Sequence, residues 1–231
     1  KYWLVTHSFE AWPDRFWEKN PANPDAFEGR REDYFFVKPD GSRSPEQLCF
    51  SSTGALAQVI KDARGWFNEY KCTARAVQYD DIYVVGPRDT WLYTCSCPDC
   101  KKGYAAAGTN WQDHIDTFNS GKGSEIYYAF LNKVQAAIDQ SNPGKHIASF
   151  NYMDYVAYPK TLTVNTNIYC GFAECFGSGT DPVMVKRMMD FYEPWRTKMP
   201  GRNQICIWRY DGWDWEFSLM RGGACFPKWY P

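Results

Sequence analysis

The segment Asp81–Cys100, DIYVVGPRDTWLYTCSCPDC, constrains the fold more than any other stretch. Ile82, Tyr83, Val84 and Val85 form a short apolar run with the length and β-branched content of a fully buried strand. The run stops at Gly86-Pro87, because proline cannot donate to a sheet ladder and glycine tolerates unusual backbone angles. Arg88-Asp89 follows at once, then Trp91 and Tyr93, then Cys95, Cys97 and Cys100. A buried strand that delivers a charged pair to its C-terminal tip and enters a long loop is how α/β enzymes present reactive groups. The competing reading is an exposed turn carrying a surface ion pair.

The remaining elements fall around this strand. Lys1–Phe9 reads as a strand ending in Thr6, His7 and Ser8, and Glu10–Gln47 as a long irregular stretch with a turn at Pro39-Asp40-Gly41. Its aromatics argue against disorder. Ser51-Ser52 are candidate caps for a helix to about Tyr70, whose stripe is Leu56, Val59, Ile60, Ala63 and Phe67. After the cysteines comes a polar, Gly-rich stretch. Ser124 is expected to cap a second helix, stopped by Pro143-Gly144. Asp181-Pro182 opens a third, ending near Pro200-Gly201. Further strands are expected at His146–Tyr152, Asn167–Phe172 and Gln204–Tyr210. Mostly alternating strands and helices predict parallel strands with right-handed crossovers.

The strand ends carry His7, Arg88-Asp89, Asn151-Tyr152, Glu174 and Asp211. Polar groups converging at strand tips favour a (β/α) TIM-barrel-like α/β domain over an open sheet. Five strand candidates are too few to close an eight-stranded barrel. Residues 1–231 are therefore expected to be one incomplete barrel domain within a longer polypeptide, with the absent units elsewhere or further copies completing it.

The 231 residues are 44% hydrophobic and 23% charged, with a formal net charge of -1. Such a chain can bury a proper core and lacks the basic face a nucleic-acid partner requires. No apolar run approaches the roughly 20 residues that span a bilayer. Aromatics make up 18% of the chain, including 11 Trp and 16 Tyr, and these serve equally as core filler or as cleft lining. Nine cysteines are many for a reducing compartment, so an extracellular or periplasmic location is expected.

A strand ending in His, FW-x-x-NP, DGSR, QLCFSS before a helix, an acid followed by C-x-C-x-x-C, and Y-P-x-x-L-x-x-N-x-N-I before a strand make a recognisable order. It resembles the bacterial domain of unknown function 4838, placed with TIM-barrel glycoside hydrolases and similar in layout to hexosaminidase and α-glucuronidase barrels. The resemblance runs from about Trp3 to Pro227, with QLCFSS, Cys95–Cys100 and Phe226-Pro227 as its most specific parts. It implies a carbohydrate partner. Where that family commonly has an Asn-Asp-Gly-Gly-like stretch, this chain has Arg88-Asp89-Thr90-Trp91, keeping the acid.

Glycoside hydrolysis uses two carboxyls, one protonated and one ionised. Asp89 and Glu174 each follow an apolar strand and form the expected catalytic pair, with Asp211 in reserve. His7, Arg88, Trp91, Tyr152, Trp208, Asp211 and Trp213 are the expected substrate contacts. The alternative is a non-catalytic carbohydrate-binding or assembly protein that retains the barrel. No cofactor is required for either. Cys95, Cys97 and Cys100 admit three readings: a structural zinc whose fourth ligand comes from afar (His114 or Cys49, for instance), disulfides with other cysteines, or free thiols.

Overall fold

A computed structural model of the chain describes residues 7–71, 78–90, 95–106, 108, 123–174, 182–199 and 205–209. Two sheets organise them. The first is an antiparallel hairpin of β1 (Phe35–Val37) and β2 (Arg43–Leu48). Its turn lies at Pro39-Asp40-Gly41 as expected: the Asp40 carboxylate accepts the Ser42 N–H at 2.9 Å, and Gly41 takes a φ of 86° that favours glycine. The stretch before it is more ordered than its punctuation suggests. A short helix, α1 (Trp12–Phe16), places Trp12 and Phe16 against Tyr34 in the core.

Residues 1–6 of the expected N-terminal strand lie outside the described residues. The strand does not extend to Phe9, because Ser8–Ala11 form a 3₁₀ turn. There Ser8 Oγ accepts the Gly86 N–H at 2.8 Å, which seats the turn on the tip of the central strand.

The second sheet is parallel throughout: β3 (Ile82–Val85), β4 (His146–Asn151), β5 (Tyr169–Glu174) and β6 (Ile205–Arg209), side by side in chain order. β3 is buried along its whole length, as its unbroken apolar run requires. Parallel neighbours need long crossovers. Helix α2 (Thr53–Glu69) precedes β3, α3 (Pro98–Ala106) and α4 (Ser124–Ser141) lie between β3 and β4, and α5 (Pro182–Lys198) lies between β5 and β6. From β4 to β5 the described chain crosses without an α-helix, through the 3₁₀ turn Met153–Tyr155 and an extended run. Buried Glu125 holds that run by accepting the Thr161 N–H at 3.0 Å and the Thr161 hydroxyl at 2.8 Å. Among the described residues the sheet is open, four strands wide, and does not close into a barrel.

The helix ends follow local chemistry, with two departures from expectation. Ser52 caps α2 by accepting the Ala55 N–H at 3.1 Å. Ser124, by contrast, is the first residue of α4 and its hydroxyl has no partner among the described residues. Gly123 takes the cap position, where a Cβ would lie 2.9 Å from the Tyr155 ring. Helix α3 is the second departure, since its residues read as loop. Gly103 lets α3 approach α4 closely, for a Cβ there would sit 1.8 Å from Ile126 Cδ1.

Phe50 fills the junction of these layers. It packs edge-on against Tyr127, Phe130 and Tyr155, with centroids 4.8, 5.4 and 5.6 Å away. Tyr127 then donates its hydroxyl to the Val85 carbonyl at 3.0 Å, and Tyr128 donates to Asn151 Oδ1. These bonds satisfy buried polar groups at the ends of β3 and β4 and fix the height at which the strands stop. No helix among the described residues is long and apolar enough to cross a membrane.

Candidate functional site

All strands of the larger sheet run the same way, so their C-terminal tips share one edge. At the tip of β3 the buried Gly86-Pro87 turn presents its carbonyl to His7, whose Nδ1 lies 2.6 Å from Pro87 O. A carbonyl only accepts, so Nδ1 carries the proton, and Nε2 has no partner among the described residues. The ring is held edge-on against Phe150 and Tyr152 at 5.2 and 5.3 Å, while those two stack on each other at 5.1 Å and 4°. Phe150 and Tyr152 are alternate residues along the end of β4, which puts both on one face. Just beyond, Met153 has a φ of 52°, a left-handed value uncommon outside glycine, and this turns the chain sharply after Tyr152.

Arg88 and Asp89 divide the work at the tip. Arg88 is a clamp. Its guanidinium donates to Glu10 Oε2 at 2.9 and 3.2 Å and to the Pro45 carbonyl at 2.6 Å. Its backbone N–H donates to Gln47 Oε1 at 3.3 Å, and its carbonyl accepts from Gln47 Nε2 at 3.4 Å. Asp89 is exposed and does not pair with its neighbour Arg88. Its N–H donates to Glu10 Oε1 at 3.2 Å, and its Oδ1 accepts the Tyr152 hydroxyl at 3.1 Å. Oδ2 is without a hydrogen-bond partner among the described residues. The result is a carboxylate anchored on one oxygen and open on the other.

Not every expected residue can be placed. Glu174 ends β5, in register with Arg209 of β6, and Trp208 pairs with Ala173; the side chains of Glu174 and Trp208 lie outside the described residues. Trp91, Asp211, Trp213 and His114 lie outside them altogether. The structure thus brings together His7, Arg88, Asp89 and Tyr152. It adds Glu10 and Gln47, which the sequence hides in a stretch without periodicity.

A second cluster lies behind the hairpin. Cys49, directly after β2, sits with its Sγ 3.5 Å from Cys95, 3.6 Å from Cys97 and 3.9 Å from Cys100, and all four sulfurs lie within 4.8 Å of one another. These are free thiols, far beyond the roughly 2.05 Å of a disulfide, so the disulfide reading is corrected here. Four sulfurs placed about 2.3 Å from a common centre in a tetrahedron would be about 3.8 Å apart. The three distances from Cys49 bracket that figure, and the remaining pairs lie within 4.8 Å. The C-x-x-C knuckle forms because Pro98 opens α3 just after Cys97, whose sulfur accepts the Cys100 N–H at 3.4 Å. Cys95 accepts the Val37 N–H at 3.3 Å, and the Ser51 hydroxyl lies 3.1 to 3.2 Å from the sulfurs of Cys49, Cys97 and Cys100.

The thiols divide their protons unequally. The Cys100 thiol, then that of Cys95, draws Cys49 down to about 7. Cys97 is drawn lower, again by Cys100 first, whereas Cys100 is pushed up by Cys49, Cys95 and Cys97 in turn. Such a group could hold a metal through deprotonated sulfur. With four ligands it leaves no position open for a reacting water.

No curated protein matches the sequence. A family model described as a domain of unknown function, DUF4838, matches residues 1–230. The chain therefore belongs to the DUF4838 family.

Proposed function

We propose that the strand tips form a carbohydrate site of the glycoside-hydrolase type, with Asp89 as one of two working carboxyls and Glu174 as the other. The single observation that carries this reading is Asp89 itself. It sits exposed at the end of a buried parallel strand, oriented by Tyr152 and left with one oxygen open. Glu174 ends the second strand over, and two strand spacings amount to about 9.5 Å, a span over which paired carboxyls act on a glycosidic bond. His7, with Nε2 presented, is suited to accept a sugar hydroxyl or to orient a carboxyl. In this reading the parallel strands are part of a TIM-barrel wall, with Trp91, Trp208, Asp211 and Trp213 on the substrate side. The test is turnover of a panel of aryl glycosides by Asp89→Asn and Glu174→Gln protein. A loss of about 10²-fold or more in both supports the pair, and unchanged turnover in both removes it.

In the same reading the cysteine cluster holds one structural Zn²⁺ through Cys49, Cys95, Cys97 and Cys100. Four thiolates at tetrahedral spacing suit zinc, and their closure assigns the metal to the fold rather than to hydrolysis. Elemental analysis of purified protein tests this, with one zinc per chain expected.

A carbohydrate-binding protein without turnover is the second reading. The observation that favours it is Arg88, whose donors are taken up by Glu10 and Pro45 where the related pattern has a small polar residue. Sugar binding that survives in the wild-type protein without turnover distinguishes it.

A further inference from the structure

We infer that the thiol cluster positions Asp89, acting through strand β2 as a strap between the metal and the tip of β3. The inference rests on the zinc reading above and goes beyond it. One end of β2 runs into Cys49, a ligand. The body of β2 grips the loop after β3. Pro45 O receives Arg88 Nη1 at 2.6 Å, Gln47 bonds both the N–H and the carbonyl of Arg88, and Glu46 accepts the Thr90 hydroxyl at 3.3 Å. Gln47 is 1% exposed, and its Oε1 also accepts the Leu48 N–H at 3.1 Å, so it moves only when β2 moves.

Farther along the chain, Cys95 and Ser96 return to the hairpin. Cys95, a ligand, accepts from Val37 N–H, and Ser96 N–H donates to Val37 O at 2.7 Å. The segment carrying Asp89 is thus fastened to the hairpin before and after the acid, and both fastenings meet at the four sulfurs. A metal bound there cross-links the end of β2 to the end of that segment. Without it no bond joins the sulfur of Cys49 to those of Cys95, Cys97 and Cys100, and the two fastenings are no longer cross-linked. The consequence reaches Asp89 because its own tip contacts are few: Glu10 at its N–H and Tyr152 at one oxygen.

The experiment uses the full chain. Zinc content is measured, zinc is removed with a chelator, and amide exchange is followed at Arg88 and Asp89, with the interiors of α2 and α4 as internal controls. The same is done with Gln47→Ala protein. Zinc removal is expected to raise exchange at Arg88 and Asp89 roughly tenfold, with the helix interiors little changed. In Gln47→Ala the loop exchanges fast already, and removal adds less than about twofold. Unchanged exchange on removal from a one-zinc protein overturns the coupling while leaving the zinc reading intact. An equal rise throughout α2 and α4 overturns it in favour of a general folding staple. A full tenfold response in Gln47→Ala overturns the strap as the route. A chain that neither carries nor takes up zinc sinks the zinc reading and the coupling together.

Discussion

The cysteine cluster and the β3 tip are linked by one strand, β2, and are built on opposite plans. At the cluster every side chain points inward: Cys49, Cys95 and Cys100 are buried, and each sulfur faces the other three. At the tip the bonding stops short, with one oxygen of Asp89 and one nitrogen of His7 lacking partners among the described residues. A site in which all valences are met can hold structure together but has little left for a substrate. A site with spare acceptors on a rigid support is what chemistry needs. The contrast separates the two roles without reference to which residues carry charge, since Arg88 and Glu10 are charged and mutually satisfied.

The sharpest way to break this contrast is at the cluster. Cys49→Ser removes a ligand that stands alone in sequence, and metal affinities in small zinc domains are worth about 10 to 16 kcal/mol. The expected outcome is loss of zinc by elemental analysis and a fall of several kcal/mol in unfolding free energy by denaturant titration. Retention of both would mean that the four sulfurs are merely neighbours. At the tip, Arg88→Ala should cost about 1.5 to 3 kcal/mol, because it strands Glu10 half-buried and takes the guanidinium donor from the Pro45 carbonyl, while the Gln47 bonds to the backbone of residue 88 remain. Asp89→Asn should stay within about 0.5 kcal/mol of the parent, as an exposed residue with few contacts. Equal costs for the two would erase the distinction between clamp and working acid.

Between the two regions lies the contact of α3 with α4. Gly103→Ala places a methyl 1.8 Å from Ile126 Cδ1, an overlap that must be relieved by movement. A loss of about 1 to 3 kcal/mol is expected by thermal unfolding, with zinc retained. Loss of zinc in this variant would show that the knuckle depends on the seating of α3 as much as on its own turn.

Much of the parallel sheet was legible because its strands are short apolar runs with turn residues at their ends, and its helices show a 3.6-residue stripe. Ser52 as a cap, Pro39–Gly41 as a turn and Asp89 as a strand-tip acid all follow from local chemistry. What escaped was non-local or disguised. Cys49 lies 46 residues before Cys95, and nothing in its surroundings singles it out above His114 as the fourth ligand. Glu10 and Gln47 belong to a stretch without periodicity, and their meaning comes only from the Arg88 they enclose. Helix α3 was hidden because Cys97-Pro98-Asp99-Cys100 reads as loop, although proline at a first helical position and a cysteine sulfur as cap allow a helix to start there. The β4–β5 crossing, for which no helix was read, is an extended run that Glu125 fastens through Thr161.

The smallest expected effect on turnover isolates the orientation of Asp89. Tyr152→Phe keeps the ring stacked on Phe150 and edge-on to His7, and deletes only the hydroxyl that donates to Oδ1 at 3.1 Å. The acceptor left behind is exposed and takes water instead, so stability should fall by no more than about 0.5 to 1 kcal/mol. Any effect on turnover must then come from the freed rotation of the carboxylate. About a tenfold fall in kcat with KM little changed is expected if Asp89 acts in the transition state, since an orienting bond contributes where geometry is most demanding. A rise in KM at constant kcat would instead make Asp89 a holder of ground-state sugar. It would move the tip of β3 one step towards the closed, purely structural character of the cysteine cluster that follows β2.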